Sequence, residues 1–257
     1  AALQDEGDIF QSNDDNALIQ YMEKSFSFGQ EAYTDYRGNA LSQLLFGNDP
    51  ANNPSYLCST LFNQLYNTGD PRTFMIGRCY YDGLMSSTSP DLTNEMLEKG
   101  IAFQPCEPGA FSYDPWPSGY DSDILKELAE TNPSISTTVA RETEPKLANN
   151  FLKSTNPGVV MTYAEVEFLL AEASLKGWNT GSKSIDELYR TGVRAAIDFL
   201  TESYGCDQVS DETFEEYINQ NGIGHTDEQK KEAINTQAWI LHFTNPAECW
   251  ANMVIRN

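Results

Sequence analysis

Four aromatic rings fall within ten residues in the stretch Phe111-Ser112-Tyr113-Asp114-Pro115-Trp116-Pro117-Ser118-Gly119-Tyr120. Flat rings cover the apolar C–H faces of a sugar at small entropic cost, and nearby carboxylates accept hydroxyl hydrogens. Pro115 and Pro117 restrain the backbone on either side of Trp116. Asp114, Asp121 and Asp123 stand close by as hydroxyl acceptors. Tyr113, Asp114, Trp116 and Tyr120 are therefore candidate ligand-binding residues. Tyr81 joins them, since of the adjacent pair Tyr80 and Tyr81 one ring is expected to face outward from a short hairpin. The bland alternative for the 111–120 rings is that they pin an irregular loop to the core.

Metal and covalent chemistry have weaker signals. The two histidines, His225 and His242, stand 17 apart, and there is no H-E-x-x-H. Tyr120-Asp121-Ser122-Asp123 offers oxygens for calcium but lacks the rest of an EF-hand loop, so a helix cap is the simpler role. No G-x-S-x-G, P-loop or G-x-G-x-x-G occurs. With 38 carboxylates a glycosidase pair stays open as an alternative, but spacing marks none out. The reading is non-enzymatic, with no catalytic residue, metal ligand or cofactor assigned.

Charge narrows the partners. Lys plus Arg number 16 and Asp plus Glu 38, a net −22 that phosphate backbones and anionic lipid surfaces repel. Aromatics at 12% argue against an acidic disordered chain. Apolar runs such as Phe168-Leu169-Leu170-Ala171 are too short to span a bilayer, and residues 1–20 lack a basic start and an apolar stretch. The chain begins with Ala1 rather than Met, so a processed or cut N-terminus is expected. Five scattered cysteines without C-x-x-C read as buried thiols, although one or two bridges stay open.

The elements that must position these groups differ between two parts of one expected domain, 1–257. Residues 1–155 are loop-rich and punctuated by Asn-Asp-Pro at 48–50, Asn-Pro at 53–54 and Gly-Asp-Pro at 69–71. Spacing predicts short helices over Ala17–Phe26, Ser55–Tyr66 and Asn94–Lys99, and a weak hairpin joining Phe74-Met75-Ile76 to Cys79-Tyr80-Tyr81.

Residues 156–257 carry three capping-box patterns, Thr162 with Glu165, Ser184 with Glu187 and Thr226 with Gln229. The helices behind them are predicted to bury Tyr163, Val166, Leu170 and Ala173; then Ile185, Leu188, Gly192, Ala195 and Phe199; then Ile234, Ala238 and Leu241. A shorter helix is expected over Asp211–Asn219. Asn245-Pro246 caps a final helix, in which Trp250, like Trp239 before it, is expected to be core, while Trp178 seals the turn after Gly177. The fold class is mainly α: tetratricopeptide-like antiparallel helix pairs with long irregular loops.

Met161-Thr162-Tyr163-Ala164-Glu165-Val166-Glu167-Phe168-Leu169-Leu170-Ala171-Glu172-Ala173, followed by Gly177-Trp178 and Leu188-Tyr189-Arg190-Thr191-Gly192-Val193, resembles the C-terminal helical signature of SusD/RagB-type outer-membrane lipoproteins of Bacteroidetes. Glu232–Ile240, Asn245-Pro246-Ala247-Glu248-Cys249-Trp250 and Asn67-Thr68-Gly69-Asp70-Pro71-Arg72 resemble further segments of that family, in the same order. Its members are usually about twice as long, so the resemblance implies a C-terminal part of a longer chain with both ends truncated. It also implies surface capture of oligosaccharide, or in some relatives peptide, and delivery to a TonB-dependent transporter of the SusC type. The location implied is the outer-membrane cell surface, through a lipid anchor outside this chain. A helical module with a protein or peptide ligand is the alternative; the acidic charge would suit a basic partner.

Overall fold

The structure, a computed structural model, describes residues 9–23, 37–46, 55–80, 91–107, 130 and 144–256. It is mainly helical, as periodicity predicts. In chain order the elements are β1 (Ala17–Ile19), α1 (Ala40–Phe46), α2 (Ser59–Asn67), α3 (Thr73–Ile76), β2 (Gly77–Arg78), α4 (Thr93–Glu98), β3 (Lys146–Leu147), β4 (Gly158–Met161), α5 (Tyr163–Leu175), α6 (Ile185–Tyr204), α7 (Asp211–Gln220), α8 (Asp227–Leu241) and α9 (Pro246–Arg256). Two compact units form: Met22–Thr155, and Ala1–Tyr21 together with Asn156–Asn257.

In Met22–Thr155, α2 buries Leu61, Phe62 and Leu65. It begins at Ser59 rather than Ser55, because Tyr56 bridges Lys146 and Cys58 bridges Cys106 in extended backbone. Phe62 sits in an aromatic cluster with Tyr66, Phe74 and Phe103, with centroids 5.5, 6.3 and 5.8 Å away. Gly69 ends the helix at φ +66°, which glycine adopts without a Cβ clash. Among the described residues the predicted hairpin does not form. Thr73–Ile76 is a helical turn, β2 pairs antiparallel with β3, and Tyr80 bridges Asp91. The strand partner lies far along the chain, out of reach of a local turn signal. Helix α4 matches the expected helix to within a residue at each end.

In the other unit, residues predicted to begin a helix over Ala17–Phe26 instead form β1. Leu18 pairs with Val159 and Ile19 with Gly158 of β4. Residues 20–23 are not helical either, and 24–26 lie outside the described residues. Ladder bonds to a distant strand outweigh a short local apolar spacing here.

Helices α5 and α6 form a packed hairpin. Its closeness depends on Gly192: a Cβ there would lie 2.6 Å from Cε1 of the buried Phe168 ring. Leu188, Gly192, Ala195 and Phe199 face inward as expected, whereas Ile185 is only half-buried. The boxes at Ser184 and Thr226 are complete. The Thr162 box is half formed: Thr162 Oγ1 accepts from the Glu165 amide at 3.2 Å, while the Glu165 carboxylate turns to His242 Nε2 at 3.3 Å. On α5 the buried residues are Ala164, Glu165, Glu167, Phe168, Leu170 and Ala171, a face rotated from the expected Tyr163–Val166–Leu170–Ala173 stripe. Apolar residues run nearly all round this helix, so periodicity does not select one stripe.

The tryptophans depart most from expectation. Trp250 is 66% exposed and Trp178 64%, while Trp239 is half-buried. The turn after α5 is closed by the Trp178 amide donating to Ala173 O at 3.0 Å, leaving the ring outside. On α9, Trp250, Met253 and Val254 share an outward apolar stripe. All five cysteines are free thiols; Cys79 and Cys206 are buried and the other three half-buried.

Candidate functional site

Tyr81, Tyr113, Asp114, Trp116 and Tyr120, and with them Asp121 and Asp123, lie outside the described residues. Among the described residues, the unit that contains α5 to α9 carries an open groove of about 450 Å³. That volume is within the usual range of small-molecule sites, about 300–1,000 Å³.

One flank of α6 forms its floor. Arg190, Arg194, Asp198 and Glu202 recur every four residues and so stand above one another on one helix face. Phe214 of α7 and Tyr163 at the start of α5 close two sides, and the segment Gln11–Asn13 closes a third. That segment is held in place locally and from afar. Ser12 and Asp15 form a reciprocal cap on the turn Asn13–Asp15. Asn13 Nδ2 donates to Ala195 O at 3.2 Å and to Glu202 Oε2 at 3.0 Å.

Both guanidinium groups lie over the Phe214 ring, with Cζ at 5.9 Å for Arg190 and 5.4 Å for Arg194. Each is also paired. Arg190 Nη2 donates to both Glu215 oxygens at 2.7 and 2.8 Å. Arg194 Nε donates to Asp198 Oδ2 at 2.9 Å, Nη2 to Val209 O at 3.3 Å, and Nη1 stands 3.1 Å from Asp211 Oδ1. These pairs are partly exposed, so each contributes only a few tenths of a kcal/mol to about 1 kcal/mol of stability. Their effect is to fix direction: stacked and tethered guanidinium groups present donors in set positions.

Beside the groove, Lys183 pairs with the carboxylate of the buried Glu167, near the Tyr163 ring. Lys183 Nζ is 2.8 Å from Glu167 Oε1 and 6.0 Å from the Tyr163 ring centre. Burial, then the Glu167 charge, pushes the Tyr163 phenol up. Burial by itself would lower the Lys183 ammonium, but its hydrogen bond and attraction to Glu167 outweigh that and hold it above its ordinary range. The Lys183–Glu167 pair ties the loop after α5 back onto the helix.

The groove is not among the sites expected from aromatic clustering. A signal for it does exist in the primary structure, in the four-residue spacing of Arg190, Arg194, Asp198 and Glu202. Nothing local says that residues 11–13 and 214 meet that stripe. Among the described residues, no three His, Cys, Asp or Glu side chains gather in a metal-holding cluster, and no helix is long and apolar enough to cross a membrane.

Residues 112–253 match the SusD-like family described as starch-binding and associating with the outer membrane. A solved SusD-like structure from Bacteroidetes AC2a is 45% identical with a TM-score of 0.84, over 95% of this chain and 51% of that one. A chitin-binding protein shares the fold at 23% identity and TM-score 0.65, over 95% and 43% of the two chains. A SusD homologue from Bacteroides fragilis does so at 18% and 0.56, over 95% and 45%. None of the curated proteins matches the chain. The chain spans about half the length of the solved relatives it matches. With a family match covering more than half of its residues, the chain belongs to the SusD-like family.

Proposed function

We propose that this chain is a capturing part of a cell-surface SusD-like lipoprotein. It binds oligosaccharide without chemistry and passes it to a TonB-dependent, SusC-like transporter in the outer membrane. A lipid anchor outside these residues holds it there. The observation that carries the reading is that the aromatic segment Tyr113–Tyr120, with Asp114 and Trp116 inside it, falls within the span matched to a starch-binding family. Tyr81 is the proposed fifth contact.

Titration calorimetry of the chain against a panel of oligosaccharides tests this. Binding of at least one glycan, weakened by Trp116→Ala, is expected. Binding unaffected by Trp116→Ala would remove the site assignment, and release of reducing ends from a polysaccharide would overturn the non-enzymatic reading. The net charge of −22 favours a second reading, a basic peptide as cargo. Salt-sensitive retention of a lysine-rich peptide, with no glycan bound, would select it.

A further inference from the structure

We infer that the groove along α6 is a binding subsite for an uncharged saccharide. The inference rests on the glycan-binding reading and adds to it a place and a chemical class.

Three observations converge. The first is charge balance. In a chain of net charge −22, the ionised side chains lining the groove are two guanidinium groups and two carboxylates. The guanidinium groups are already bonded to Glu215 and Asp198, so a uronate or sulfated sugar meets no unpaired cation. The second is open hydrogen-bonding capacity of both kinds. Arg190 Nε and Nη1 and the Thr191 hydroxyl are unbonded donors among the described residues; Asp198 Oδ1 and Glu202 Oε1 are unbonded acceptors. A sugar hydroxyl donates one hydrogen bond and accepts others, so a row of adjacent hydroxyls suits a wall that carries guanidinium donors next to carboxylate acceptors. The third is preorganisation. Phe214 stacks both guanidinium groups, and Asn13 holds Glu202 from the opposite wall at 3.0 Å. Little side-chain freedom remains to be lost on binding.

A cation-seeking site would look different. Glu202 has no cationic partner, but Asp198, Asp211 and Glu215 are all within reach of guanidinium groups. A lysine-rich peptide would have to displace those pairs.

The test uses the whole chain and heptamers of glucose, xylose and N-acetylglucosamine, with an oligogalacturonate of equal length and tri-lysine as charged probes. Affinities are read by calorimetry, and amide exchange is followed over residues 188–204. At least one neutral oligomer is expected to bind and to protect those amides. Arg190→Met and Glu202→Leu should each weaken it roughly tenfold, the loss of about one charge-assisted hydrogen bond. Thr191→Val, which leaves the helix and every ion pair in place, should weaken it by a smaller factor. If neutral oligomers bind but all three variants keep wild-type affinity, and protection is confined to residues outside 188–204, the groove assignment fails while the glycan reading stands. If no oligomer binds, the glycan reading fails and takes the groove with it. Tighter binding of oligogalacturonate or tri-lysine, abolished by the same variants, overturns the uncharged class.

Discussion

Asp70 and Arg72 form a buried two-pronged ion pair across a single proline. Arg72 Nε donates to Asp70 Oδ1 at 2.9 Å and Nη2 to Oδ2 at 2.6 Å, with the side chains 0% and 1% exposed for Asp70 and Arg72. Asp70 Oδ1 also accepts the Arg72 amide at 2.9 Å, and Asp70 O accepts the Thr73 amide and hydroxyl at 3.0 and 2.6 Å. The pair thus sets the turn that joins α2 to α3. Removing one partner strands the other charge in the interior, a loss of about 3–5 kcal/mol. Asp70→Ala and Arg72→Met should each lower the urea midpoint strongly, and the double variant should lose much less than the sum of the two. Additive losses would show that the residues act independently.

Gly192→Ala opposes two effects. Alanine favours a helix by up to about 1 kcal/mol over glycine. Its Cβ would meet Phe168 Cε1 at 2.6 Å and Cδ1 at 2.8 Å, in a ring that is itself 1% exposed and cannot retreat. Overpacking of that kind is worth about 1–3 kcal/mol. The clash should win: the variant melts lower, and Phe168→Leu in the same chain recovers part of the difference. A Gly192→Ala protein as stable as wild type would show that the α5–α6 hairpin has slack.

Asn16 reaches 147 positions along the chain to cap α5, its Oδ1 accepting the Tyr163 amide at 2.6 Å. Together with Thr162 it serves two of the amides that open the helix. Asn16→Ala should cost about 1 kcal/mol, as for loss of a side-chain cap. It should also speed amide exchange at Tyr163 selectively. Unchanged exchange there would remove the assigned role.

Alkaline pH should destabilise the fold. Burial pushes the Cys79 thiol from 9.0 up to about 12, and the Tyr204 phenol from 10.0 up to about 12 against an opposing hydrogen bond to Thr244. Both shifts are upward, so the unfolded chain releases its protons first. The stability is intact below about pH 9 and declines as pH rises towards 12. For Tyr204 two pH units correspond to roughly 3 kcal/mol. Denaturation midpoints measured from pH 8 to 11.5 should fall, and Tyr204→Phe, which has no proton to lose, should flatten the upper part of the curve. An equal slope in that variant would assign the decline to other groups.

Trp250 offers a contrast with the buried core. At 66% exposed it makes little of the packing that its periodicity suggests. Trp250→Ala should alter stability by no more than about 0.5 kcal/mol, and it should remove a component of the fluorescence that iodide quenches readily. A loss of several kcal/mol would mean that the ring is covered in solution.

Local chemistry determined where most helices of the second half begin and end. Boxes at Ser184 and Thr226, the proline at 246 and left-handed glycines at 177 and 205 act within one turn of the chain, and interactions that short are written directly in residue order. So were the Gly-Asp-Pro punctuation after α2 and the small residues of α6. Tertiary structure decided the rest, wherever a partner lies far away. Ala17–Ile19 became strand because β4 offers a ladder to it. Glu165 left its own cap for His242 because α5 packs against α8, whose C-terminal end carries His242. The outward stripe of α9 has an amphipathic period, but a period states only that a helix has two faces, not which of them finds a neighbour. The groove shows the same division: its charged stripe is visible in the spacing of α6, while its walls at Asn13 and Phe214 exist only after the chain has folded back on itself.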